Sequence, residues 1–254
     1  MAKVLCKNCH QSFEGNFCNH CGQRKIANRR LQINEVIADF FDNTFNIHKG
    51  FFFTLWNLLL KPGKVAQSYI DGQRKAYTNP TRFMVIGLAF QTFIDYWFET
   101  TDIIKNETYF QFSFLSDAMN TSMEIWNVKL AVEYILLSNL FLIALIPFLL
   151  YLTFKPLKYN YTELLSASFY YIPTILFITM PFLFVTKVLM GIYVSKEVII
   201  FIFVGYLFWS FLSLFKKMVF TQRLLRLVLA IGLFMLIRTL FLPFILSYLY
   251  PLTS

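Results

Sequence analysis

The sequence predicts an all-α fold. It reads as a polytopic helical membrane bundle of about five spans, preceded by a small cysteine-rich module and a set of interfacial helices. Three observations carry this. Hydrophobic residues make up 57% of the 254-residue chain and charged residues only 15%, against about 25% charged in a soluble domain. The apolar residues gather in long blocks, mostly after residue 82. All four cysteines fall within the first 21 residues. With 31 Phe, the chain holds more large apolar surface than a soluble core of this size would hide, and a bilayer can take it up. The expected division is residues 1–25, 26–81 and 82–254. The first 30 residues are polar, without an apolar run or a small-residue cleavage site, so the first span is expected to act as the insertion signal.

Cys6-Lys-Asn-Cys9 and Cys18-Asn-His-Cys21 form two C-x-x-C pairs separated by eight residues. Each such turn presents two thiolates on one side of a knuckle, and two turns complete a tetrahedron of soft ligands. Gly15-Asn16 and Gly22 suit the tight turns. The expectation is a structural zinc ribbon with Cys6, Cys9, Cys18 and Cys21 as ligands. Two disulfides are the competing reading, disfavoured if this end faces the reducing cytoplasm. His10 and His20 are alternative ligands that four available cysteines make unnecessary. Four thiolates leave no open position for water, so the zinc is expected to fold the segment rather than catalyse. Arg24, Lys25, Arg29 and Arg30 follow, and could meet nucleic acid or lipid phosphate, or simply mark the cytoplasmic side.

Residues 31–48 read as an amphipathic helix. Ile33, Val36, Ile37, Phe40, Phe41, Thr44 and Phe45 recur at spacings of three and four, while Glu35, Asp39 and Asp42 lie opposite. A lipid-bound helix usually carries Lys/Arg on its polar face, so packing against protein is expected. Residues 51–60 form an apolar run of about 15 Å if helical. That is too short to span, and Trp56 fits an interfacial or re-entrant position. Pro62 can open a short helix to Asp71, with Gly72 ending it and Asn79-Pro80 turning into the first span.

The stretch Pro62-Gly63-Lys64, Tyr69, Asp71-Gly72, Arg74, Tyr77 and Asn79-Pro80, placed after a four-cysteine ribbon, resembles an uncharacterised family of bacterial membrane proteins, known chiefly as a domain of unknown function. The resemblance covers about residues 6–82 by motif and implies a bacterial inner-membrane location. It supplies no reaction and no catalytic residues. Five spans behind a cytoplasmic N-terminal region are also similar, in layout alone, to Yip-type proteins of membrane trafficking or organisation.

The expected spans are Phe83–Phe98, Leu130–Phe154, Leu164–Val185, Val198–Phe215 and Leu224–Tyr250. A cytoplasmic N-terminus places 18 Lys/Arg in inside loops and 4 outside, which satisfies the positive-inside rule and leaves the C-terminus outside. Arg238 falls within the last span. Ionisable groups in hydrocarbon are costly and therefore informative. Asp95, Glu133 and Arg238 are expected at comparable depths in the outer half, with Arg238 pairing to Asp95 or Glu133. Pro147, Pro173, Pro181 and Pro243 are expected to kink their helices.

No phosphate loop, H-E-x-x-H, G-x-S-x-G or His–carboxylate set is present. The leading expectation is a non-enzymatic membrane scaffold or adaptor, with membrane lipids and a protein partner or a second copy as its partners. A small transporter or lipid-handling protein using the intramembrane charges is the alternative. A membrane-tethered nucleic-acid binder is the weakest reading.

Overall fold

A computed structural model describes residues 3–26, 30–33, 35–36, 50–98, 111–192 and 194–252. Among the described residues the fold is helical apart from the N-terminal module. There, β1 (Val4–Leu5) pairs antiparallel with β2 (Ser12–Phe13), Val4 opposite Phe13, and a bridge joins Phe17 to Arg24. The helices are α1 (Gly50–Leu60), α2 (Pro62–Ile70), α3 (Pro80–Phe98), α4 (Asp117–Ala131) and α5 (Ile135–Thr153). Then follow α6 (Tyr161–Leu183), α7 (Lys196–Leu214), α8 (Phe220–Leu236) and α9 (Leu242–Leu249). A π-helical turn, Phe184–Leu189, extends α6, and another, Ile237–Phe241, joins α8 to α9. Most of the amphipathic helix expected over 31–48 lies outside the described residues.

Among the described residues, three helices are long and apolar enough to cross a bilayer: Tyr161–Leu189, Glu197–Leu214 and Phe220–Leu249. The first and second expected spans correspond to α3 and α5, of 19 residues each, or about 28 Å of helix. The expected continuous span Leu130–Phe154 is corrected. A turn at 132–134 interrupts the helix, between α4 and α5. The helix α4 itself was not expected. Ser116 caps it, accepting from the Met119 N–H at 3.3 Å.

The helix α6 is central and packs against α1, α2, α3, α5 and α7. Asn160 and Glu163 start it with a reciprocal capping box, which satisfies two of the N–H groups that a helix N-terminus leaves open. Phe83, Tyr170, Tyr171, Phe211 and Phe215 are fully buried around it. Gly87 of α3 crosses α6 at Pro173, where a Cβ would lie 2.3 Å from the proline Cβ. Only glycine permits that approach.

One end of the bundle collects the N-termini of α3, α6 and α8 and the C-termini of α5 and α7. Arg223 donates to the Leu212 carbonyl of α7 at 3.0 Å, and Arg226 donates to the Thr153 carbonyl of α5. Both cations sit where helix C-termini leave carbonyls open and negative. At the opposite end, Trp126 of α4 donates to the Tyr250 carbonyl at 2.9 Å.

Candidate metal centre

The four cysteines sit on two turns of the same design. In the first, the Cys6 N–H donates to the Gln11 carbonyl and the His10 N–H to the Cys6 carbonyl; in the second, Cys18 pairs with Gln23 and Gly22 with Cys18 in the same way. Each turn closes with a left-handed residue, His10 at φ 58° and Gly22 at φ 70°. Glycine takes that conformation freely, whereas His10 holds it at a cost of about 1 kcal/mol.

All four Sγ atoms lie within 4.8 Å of one another. Cys6 and Cys21 approach to 3.6 Å, as do Cys9 and Cys18. Those distances are far beyond a disulfide of about 2.05 Å, and the cysteines are free thiols. A tetrahedral zinc with Zn–S near 2.3 Å would set sulfur–sulfur edges of about 3.8 Å, so the residues present fit such an ion. Electrostatics point the same way. The Cys21 N–H is the main influence holding the Cys18 thiol down at about 7; burial opposes it and the His20 N–H adds to it. The Cys9 thiol is pulled down by the Gln11 N–H, yet burial and the three other sulfurs push it up to about 12. Sulfurs packed this closely cannot all ionise alone, and a divalent cation removes the conflict.

The module is tied to the membrane-type bundle by Gln23, which is buried. Its Nε2–H donates to the Gly72 carbonyl at 2.8 Å, and its Oε1 accepts from the Arg74 N–H at 3.1 Å. One amide thus satisfies both polar groups of a turn, as a strand partner would. Gly72 has φ +97°, and a Cβ there would come within 2.9 Å of the Lys7 side chain. The Arg74 guanidinium pairs with Glu35 at 2.8 Å and lies over the Tyr69 ring at 5.8 Å. A second tie follows in sequence. Arg30 donates twice to Glu163, at 3.3 and 3.1 Å, and Asn160 donates to the Leu31 carbonyl at 3.0 Å.

The sequence motif between Pro62 and Pro80 forms the receiving surface. Pro62 and Gly63 begin α2, Tyr69 lies in its buried face, and Asp71 and Gly72 end it. The Gly63 N–H donates to Ser213 Oγ at 2.8 Å, and a Cβ on Gly63 would fall 2.4 Å from the Ser213 carbonyl group. Lys64 is exposed. Tyr77 stacks on Phe53 with ring centroids 5.8 Å apart. Asn79 caps α3 through Oδ1, which accepts from Thr81 at 2.9 Å and Arg82 at 3.3 Å. That leaves the Thr78 carbonyl to the Tyr170 hydroxyl, at 2.6 Å. Pro62 has no N–H to offer the Leu58 carbonyl four residues earlier; the Tyr206 hydroxyl supplies the bond at 3.1 Å. Tyr171 reaches the Pro62 carbonyl at 3.3 Å.

Of the three charges expected within the spans, Glu133 is placed differently. Glu133 is not inside a span. It sits in the turn between α4 and α5, is exposed, and pairs with Lys129 at 3.4 Å. The break before Ile135 moves it out, which corrects the proposed pairing of Arg238 with Glu133. Arg238 lies in the π-helical turn before α9. The Asp95 side chain lies outside the described residues, so an Arg238–Asp95 pair is not described.

Fold and site together define a helical, membrane-type protein with a four-cysteine cluster able to hold a metal ion. Residues 49–92 match the family described as Protein of unknown function (DUF3667). The match covers α1, α2, the Gly72–Asn79 turn and most of α3, and the cysteines lie outside it. No curated protein and no solved structure matches the chain.

Sequence reasoning missed Gln23, the Arg30–Glu163 tie and the three tyrosines that serve the breaks around α2. Pro62 itself was a signal, since a proline always orphans the carbonyl four residues before it in a helix.

Proposed function

We propose that this protein is a non-enzymatic scaffold or adaptor of a bacterial inner membrane. A structural zinc ion folds its ribbon, and the ribbon docks a protein partner or a second copy on the cytoplasmic side. Charge supports the orientation, because the Lys/Arg bias puts the ribbon end inside. A closed set of four thiolates supports a structural rather than catalytic ion.

One observation carries the reading: the ribbon is anchored on one side and open on another. Gln23, Lys7 and Ile26 meet the Gly72 turn. Leu5 and Phe17, each immediately before the first cysteine of its turn, are 63% and 59% exposed. Two large apolar side chains at equivalent positions of a small rigid module suit a docking surface.

Transport draws less support. Glu133 sits in a turn, and the cavity between α5, α7 and α8 is lined by apolar residues such as Leu150, Leu207, Phe211 and Phe234. Nucleic-acid binding would draw on the Arg24–Arg30 run, yet Arg30 is engaged with Glu163.

The test is purification of the full chain in native-lipid discs, with metal content and associated proteins measured. One zinc per chain is expected, with a copurifying protein or second copy that the Leu5→Ser/Phe17→Ser double variant loses while keeping its zinc. An unchanged set of associated proteins in that variant would overturn the docking role.

A further inference from the structure

The helix α1 has two apolar faces, and the bundle covers only one. Thr54 and Leu58 are buried, and Phe51 and Leu55 pack on the core. Phe52, Phe53, Trp56 and Leu60 are 77%, 53%, 63% and 53% exposed. At the helical repeat of 3.6 residues per turn these four share an arc of about 100°. The one polar side chain near that arc is satisfied by the helix itself: Asn57 Nδ2 donates to the Phe53 carbonyl at 2.8 Å.

This face does not belong to a span. Eleven residues reach about 16 Å, roughly half the hydrocarbon thickness. The middle and the last turn of α1 are held in the ribbon-side half of the bundle. Thr54 Oγ1 accepts from the Thr78 N–H at 2.8 Å, just before α3. Leu58 meets Tyr206, eight residues or about 12 Å from the end of α7. The helix therefore packs against the ribbon-side half of the bundle and does not cross it.

Charge identifies the occupant. Lys61 and Lys64 follow α1 directly and are exposed. The Gly63–Ser213 contact sets them beside the end of α7, where Lys216 and Lys217 are also exposed. The first carboxylate after Lys61 and Lys64, Asp71, caps the far end of α2 and is engaged by Gln67 at 2.8 Å. A second copy docked face to face would bring these lysines against their own kind. An anionic leaflet offers the opposite charge, and Trp and Phe favour the headgroup–acyl boundary. We propose that the Phe52–Leu60 face of α1 is a lipid-binding surface, inserted at the headgroup–acyl boundary of an anionic leaflet, with Lys61 and Lys64 against lipid phosphates. The surface is independent of any partner the ribbon takes.

The experiment uses the full chain in lipid discs and reads Trp56 as the fluorescence difference between wild type and Trp56→Phe. Discs of phosphatidylcholine are compared with discs holding added phosphatidylglycerol. Lipids carry bromine either high on the acyl chain or near the bilayer centre. The high bromines should quench Trp56 about twofold more than the central ones, as an interfacial depth requires. Phosphatidylglycerol should deepen that quenching in wild type and leave the Lys61→Gln/Lys64→Gln variant unchanged. Quenching by aqueous iodide instead would place the face in water. Protection from both quenchers would place it under protein. A double variant that responds to phosphatidylglycerol as wild type does would remove the phosphate contact. Each of these three results would overturn the proposal.

Discussion

The ribbon and the bundle end it rests on differ in what holds them together. In the ribbon, Cys6, Phe13 and Cys18 form the buried cluster, with Val4, Cys9 and Cys21 packed around it. A core of that size cannot offset the backbone entropy of ordering some twenty residues, at about 1–2 kcal/mol each. A metal ion on the four cysteines, as proposed, would supply the stability that this core lacks. The bundle end has the opposite character. Stacked aromatics such as Phe154 and Phe215, with centroids 4.0 Å apart, fill it, and tyrosine hydroxyls serve the carbonyls its helix breaks expose. The difference teaches that the two parts should fail separately, and that Gln23 is where failure of one reaches the other.

The largest expected break is at the metal. Cys18→Ser should lose the bound ion, because metal binding supplies on the order of 10 kcal/mol to sites of this kind. Mass spectrometry of the intact chain should show the loss, while the helical signal of the bundle persists. Next is Gly63→Ala, whose Cβ would sit 2.4 Å from the Ser213 backbone. Overpacking of that kind costs about 2–3 kcal/mol, readable as reduced stability in mixed micelles. Gly205→Ala, with nothing within 4 Å of its Cβ, is the control and should change little.

Gln23→Ala should cost about 2 kcal/mol, since it orphans the Gly72 carbonyl and the Arg74 N–H. Its metal content should stay at the wild-type level, which separates docking from folding of the ribbon. Tyr206→Phe should cost about 1 kcal/mol by leaving the Leu58 carbonyl without its donor. Smallest and opposite in sign is His10→Gly. Relieving a left-handed non-glycine residue should stabilise the ribbon by about 1 kcal/mol, seen as slower metal release to a chelator.

How much of this was legible in the sequence depends on the range of the interaction. The four-cysteine cluster is legible because each C-x-x-C knuckle is a local turn of four residues. Helix α2 is legible for the same reason: Pro62 opens it and Gly72 closes it, and both act on their own backbone. The spans are legible as apolar blocks, but their ends are not. Hydropathy ran Leu130 into the block after Ile135 and put Glu133 within a span, whereas Glu133 lies in the turn at 132–134 between two helices. Gln23 was invisible because its partners lie 49 and 51 residues away. The sequence announces that Pro62 orphans a carbonyl, yet nothing local says that Tyr206, 148 residues from Leu58, will serve it.

The central claim is that a metal-folded ribbon is coupled through Gln23 to the turn after α2. Hydrogen exchange on the full chain in lipid discs, with and without a zinc chelator, tests it most directly. The account predicts that chelation strips protection from residues 3–26 and, with them, from residues 72–75, while α6 and α7 stay protected. A ribbon that keeps its protection without metal would contradict the account, as would an unfolded ribbon that leaves residues 72–75 unchanged.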